Sequence, residues 1–147
     1  VAFSYTGGVE VKLIGSRREN SIEYALIRSK WLLFKSLSRI QWKDELLKLD
    51  PNLKTAYMLD CINEQGEDIR TYITDKKAIY VIEISSVDPE EPVIVEQINF
   101  YAYKKSLRGE RSNLYLMIAL KLIAEDLKDL ATTEKVLKRV KLSSFLF

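Results

Sequence analysis

Asp68 or Asp75, then Glu83, then Gln97, Tyr101 and Lys104 are the side chains whose types and spacing could act on a phosphodiester. Glu83 interrupts "AIYVIEISS", residues 78–86, in which Ile79, Val81, Ile82 and Ile84 favour a packed, pleated surface. A carboxylate in such a strand must reach water at a sheet edge, find a cation or a metal, or be held protonated, because burying it unpaired is costly. If Asp75 and Lys76 form a two-residue turn, Thr74 faces Lys77 and the pairing places Asp68 directly opposite Glu83. Two carboxylates that close repel, so a divalent ion would be the natural occupant between them. A one-residue slip moves Asp68 to the other face, and Asp75 is then the substitute ligand. Gln97 and Tyr101 are four apart, a spacing that puts both on one side of a strand or of a helix, and Lys104 follows within reach of a phosphate.

Composition narrows the chemistry. The chain has no His, which excludes His-dependent catalysis, and a lone Cys61, which excludes an internal disulfide and a Cys-based zinc site. The expected metal is therefore a hard, oxygen-liganded ion, Mg2+ or Mn2+, which would polarise a phosphate and lower the pKa of a bound water.

An acidic residue, a strand ending in Glu-x-Lys and a following Gln-x-x-x-Tyr form the arrangement of the RecB-like branch of the PD-(D/E)XK nuclease superfamily. This sequence resembles it through Asp68 or Asp75, "EIS" at 83–85 and "QINFY" at 97–101. The resemblance implies a DNA nuclease in which Glu83 and the upstream Asp hold magnesium while Gln97 and Tyr101 orient the substrate or the site. Glu23 would be the upstream helical acid of that family. Ser85 stands where the family carries its Lys, so Lys104 or Lys77 would have to substitute. The whole chain also resembles small nucleases encoded by filamentous viruses of hot, acidic archaea. Few Gly, Pro and Cys with abundant Lys, Glu, Ile and Leu are compatible with a thermophilic source.

A second enzyme reading starts from "LIGSRREN", residues 13–20, which resembles the Gly-Ser turn of minimal nucleotidyltransferases, where backbone amides hold a triphosphate at a helix start. The non-enzymatic alternative is a DNA-binding or interaction module with Glu83 merely structural, as an edge-strand carboxylate or a partner of Arg70. Two basic segments suit a polyanion: Arg17 and Arg18 before the first helix, and Lys104, Lys105, Arg108 and Arg111 around Gly109 before a later one. Double-stranded DNA is the expected partner. Trp31 and Trp42 read as packing residues.

The elements that must position these groups follow from periodicity. Residues 9–14 alternate like a short strand, and Asn20 is placed to cap a helical pattern running from Ser21 to Asp50-Pro51, as one helix or as two with a break near Gln41. Residues 55–62, 69–74 and 78–85 read as three strands joined by short turns, hence an antiparallel meander. Residues 93–104 fit a fourth strand or a turn into helix. A strong amphipathic helix begins at Ser112 or Asn113, and Thr132 or Thr133 caps a final short one. With 47% hydrophobic and 30% charged residues over 147 positions, the expectation is a single α+β domain, 1–147, with an antiparallel sheet packed by N-terminal and C-terminal helices. No apolar run approaches a membrane span, and "VAFSYTGGVEVK" lacks the regions of a signal peptide, so a soluble intracellular protein with no membrane partner is expected.

Overall fold

The computed structural model describes the backbone of residues 2–3, 11–36 and 40–146 and the side chains of residues 13–36 and 41–140. A two-residue antiparallel pair, β1 (Ala2–Phe3) with β2 (Val11–Lys12), precedes the first helix, α1 (Arg17–Lys35). The expected strand over 9–14 is thus realised only at Val11–Lys12, and residues 9–10 lie outside the described residues. Ser16, and not Asn20, caps α1: the Ser16 side chain accepts from the Glu19 amide while the Glu19 carboxylate accepts from the Ser16 amide, a reciprocal capping box. Asn20 already lies inside the first turn. Ile22, Leu26 and Leu33 recur at helical spacing and form the buried face. Two helices are present, since α2 (Ile40–Leu49) is separate from α1, and the expected helical residues Leu37 to Arg39 lie outside the described residues.

Strands β3 (Ala56–Glu64), β4 (Glu67–Thr74), β5 (Ile79–Ser85) and β6 (Ile94–Ile98) form the antiparallel meander, in that order across the sheet. The β3–β4 turn is Gln65-Gly66, both with positive φ (48° and 82°), as a two-residue turn matching strand twist requires. Leu59 sits at a bulge between Met58 and Asp60 and is buried.

The β4–β5 turn corrects the expected register. It holds three residues, Asp75 to Lys77, with Lys77 at φ 59° and the Thr74 amide donating to the Ala78 carbonyl at 3.0 Å. Asp75 fixes this geometry, because its Oδ1 accepts from the Lys54 and Thr55 amides at 3.0 and 3.3 Å. Pairing then runs Ile73 with Ile79, Ile69 with Glu83 and Asp68 with Ile84. Asp68 and Glu83 therefore lie on opposite faces of the sheet. After Ile98 the chain changes from strand to helix: the Asn99 side chain accepts from the Tyr101 and Ala102 amides at 3.0 and 3.1 Å and starts α3 (Phe100–Ser106).

α4 (Glu110–Leu146) follows as one helix of 37 residues. Thr132 and Thr133 do not cap a new helix, for their hydroxyls donate back to the Lys128 and Asp129 carbonyls one turn earlier.

The sheet is covered unequally. On one face, Tyr72, Tyr80, Ile82 and Ile84 pack under Trp42 and Leu46 of α2 along the whole length of β5. On the other, Tyr57, Ile73 and Ile79 pack under α1 and α4 at one end only. Further along that face Thr71 is buried, while Ile62, Ile69, Val81, Glu83 and Ile94 are exposed or half-buried. Ser29 of α1 accepts from the Met58 amide at 3.1 Å, so the helix satisfies part of the β3 edge. Asp126 joins three elements: it accepts from Lys30 of α1 at 3.0 Å, from the Thr55 hydroxyl at 2.7 Å and from the Tyr57 hydroxyl. Among the described residues no helix is long and apolar enough to cross a membrane.

Candidate nucleic-acid interface

α1 and α4 lie side by side with their N-termini together, tied by ion pairs from Arg18 to Glu110 at 3.3 Å and from Lys121 to Glu23 at 3.6 Å. Arg17 and Arg18 occupy the first turn of α1 and Arg111 the first turn of α4, so two segments far apart in sequence place three guanidinium groups around one open groove of about 600 Å3. Ser21, Ile22, Ala25 and Tyr115 complete its walls. Arg111 stacks 5.3 Å from the Tyr115 ring centre, and its Nη2 donates to the Tyr115 hydroxyl at 3.4 Å. That contact holds the cation at the groove's rim.

Arg111 and Tyr115 also line a neighbouring cleft of about 400 Å3, whose other walls include Asp60, Thr71, Tyr103 and Ser112. Burial, with the Asp60 carboxylate adding to it, pushes the Tyr103 hydroxyl up to about 12, so this tyrosine stays protonated and can donate. Lys104 and Lys105 fall in the last turn of α3, and Arg108 donates through Nη1 to the Lys105 and Leu107 carbonyls at 2.9 and 3.2 Å. Tyr103 and Tyr115 were not among the residues singled out by sequence, although Arg111 and Tyr115 stand four apart on one helix, which was a readable signal.

The Gly-Ser turn is already filled. The Glu19 carboxylate accepts from the amides of Ile14 at 3.0 Å, Gly15 at 3.2 Å and Ser16 at 3.1 Å. The Ser16 amide hydrogen bond, followed by those from the Ser16 hydroxyl, Ile14 and Gly15, outweighs burial and lowers this carboxylate to about 2. The amides that would hold a triphosphate have a resident anion. The pattern Ser-x-x-Glu was the sequence signal for it.

The residues expected to bind metal do not converge. Glu83 faces Ile69 and Ile94, half-buried on the partly covered face, whereas Asp68 lies on the opposite face, lining a separate cleft with Arg70. Asp75 is held in its turn beyond the Ile73–Ile79 pair. Gln97 pairs with Tyr80 and so lies on the face opposite Glu83, and Tyr101 belongs to α3, so the four-residue spacing does not bring the two to one side of a common element. Arg70 pairs with Ile82 and stacks 4.1 Å from the Trp42 ring centre, which removes it as a partner for Glu83. Trp42 is a packing residue, but Trp31 is 57% exposed.

Ser85, in the Lys position of the family pattern, accepts from the Val87 and Asp88 amides at 3.3 and 3.0 Å and serves a turn. The carboxylate that does crowd Glu83 is Glu67, which burial, then Glu91 and Glu83, push above the ordinary range. Among the described residues no group of three or more His, Cys, Asp or Glu is placed to hold a metal ion. The expected magnesium or manganese set, Glu83 with Asp68 or Asp75, does not fit. No family model, curated protein or solved structure matches this chain.

Proposed function

We propose that the chain is a DNA-binding module that grips the phosphate backbone at the paired N-termini of α1 and α4. The observation that carries this reading is the convergence of Arg17, Arg18 and Arg111 on one open groove. Guanidinium groups match phosphate oxygens through paired N–H donors, and aromatic side chains beside them offer a stacking surface to a splayed base. Tyr115 and Tyr103 are so placed. Lys104 and Lys105 in the last turn of α3, and Arg108 just after it, add further cations shortly before α4 begins. Backbone gripping of this kind carries no sequence information of its own, so modest discrimination between sequences is expected.

Binding is measured by fluorescence anisotropy of a labelled linear duplex with the wild-type chain, Arg17→Ala, Arg111→Ala and the control Lys48→Ala on α2. Loss of affinity in the two arginine variants and none in the control is expected. Equal affinity in all four overturns the reading.

Metal-dependent cleavage of DNA is the second reading, raised by the sequence pattern around Glu83. Incubating linear and circular DNA with magnesium, manganese or chelator separates the two. Degradation that needs the metal and disappears in Glu83→Ala would replace binding by catalysis.

A further inference from the structure

Arg70 is 9% exposed and a guanidinium does not give up its proton inside a protein, so β4 carries a positive charge into the interior. Trp42 lies 4.1 Å from it and attracts its flat face, which leaves the N–H groups at its rim free for acceptors. Of those donors, one on Nη1 reaches the Tyr72 hydroxyl at 3.3 Å, while Nε is buried with no acceptor. Among the described residues no carboxylate forms an ion pair with it. A buried cation in this state is costly until an anion completes it. Arg70 forms part of the wall of a cleft of about 350 Å3 between β3, β4 and the C-terminal half of α1. Asp68 lines the same cleft, two residues away on β4 and therefore on the same sheet face. It is half-buried and joins no ion pair among the described residues. Leu32, Leu33 and Met58 give the cleft an apolar wall.

We propose that this cleft binds a free α-amino acid with an aliphatic side chain. Arg70 takes the α-carboxylate through its remaining N–H donors, Asp68 accepts from the α-ammonium, and the side chain lies against Leu32, Leu33 and Met58. The two charges select this class. Asp68 repels a phosphate or a dicarboxylate, whereas a neutral or purely cationic ligand leaves Arg70 without its anion. A volume of about 350 Å3 is at the small end for small-molecule sites, which suits a single amino acid and excludes a folded peptide. The site shares no residue with the groove of Arg17, Arg18 and Arg111, so it is independent of DNA binding.

Isothermal titration calorimetry of the full chain with L-leucine, L-isoleucine, L-valine and L-methionine tests it. L-Leucine is expected to bind one-to-one with Kd below about 1 mM. Isocaproate, which is leucine without its ammonium, and isoamylamine, which is leucine without its carboxylate, should each bind at least about tenfold more weakly, and inorganic phosphate should not bind. Arg70→Lys keeps the charge but lacks the planar fork, and Asp68→Asn keeps the shape but lacks the charge. Each should weaken L-leucine by about tenfold or more, and Asp68→Asn should leave isocaproate binding no weaker. Asp68 is half-buried, so its variant reports on the site even if Arg70→Lys disturbs the core. Failure of all four amino acids to bind, isocaproate or phosphate binding as tightly as leucine, or an Asp68→Asn chain that binds leucine like the wild type would overturn the proposal.

Discussion

Replacing Asp126 by alanine removes the group that ties α4 to α1 and β3. Its carboxylate accepts from the Thr55 hydroxyl at 2.7 Å, from the Tyr57 hydroxyl and from Lys30 at 3.0 Å. Thr55 and Tyr57 are 2% and 1% exposed, so both hydroxyls would be left buried without that acceptor, at about 1–3 kcal/mol each. The Lys30 side chain is 33% exposed and can turn to water, so its loss adds little. The total is about 4 kcal/mol, equivalent to a fall in Tm of about 8–16 °C for a chain of this size. Asp126→Asn keeps an acceptor oxygen but loses the charge, and should cost about half as much. Urea denaturation at neutral pH, followed by circular dichroism with an unchanged slope, measures both. Burial raises the Asp126 carboxyl, but hydrogen bonds from Tyr57, Thr55 and Lys30 and the Lys30 charge lower it further. A depressed carboxylate stabilises above its unfolded-state pKa, so the gap between wild type and Asp126→Ala should narrow as pH falls below the ordinary aspartate range. A loss under about 1 kcal/mol for Asp126→Ala would refute the reasoning, since it would mean that the hydroxyls find other acceptors.

Glu19→Gln should destabilise the wild-type loop at neutral pH and not at about pH 2: the folded carboxyl titrates near 2 against an ordinary 4.5, so its contribution is complete above 4.5 and lost as pH falls through 2. Urea midpoints of the pair at pH 7, 4 and about 2.5 follow it, and a constant gap across that range would contradict the account. Gly66→Ala should cost about 1–2 kcal/mol, because φ is 82° there and a Cβ would meet Val87 at 3.3 Å; an unchanged urea midpoint would show that the turn relaxes freely.

The alternation of apolar and polar residues made the meander and the flanking helices legible, because burial on one or both faces imposes that period directly. What failed was local chemistry with two eligible answers. Ser16 and Asn20 are both good caps, and the choice fell to Ser16 because Glu19 can close the box behind it. A two-residue and a three-residue β4–β5 turn fit the same letters, and the tie was broken by Asp75 reaching two amides twenty residues upstream, a contact no local pattern contains. That single residue of register separates Asp68 from Glu83 and with it the expected metal pair. Glu83 is half-buried on a sheet face of which α1 and α4 cover only one end. The basic residues were legible as two segments, but their meeting was not, since it depends on α1 and α4 packing with their N-termini together.

The most direct test of the central claim is the salt dependence of duplex affinity. Three phosphate contacts, from Arg17, Arg18 and Arg111, give a slope of log affinity against log salt near −2.7, about a 40-fold loss between about 50 and 200 mM. Contacts from Lys104, Lys105 and Arg108 would steepen the slope toward about −5. Arg17→Ala and Arg111→Ala should each flatten it by about 0.9, while Lys48→Ala leaves it unchanged. A slope near zero, or one that the two arginine variants leave untouched, would contradict the account.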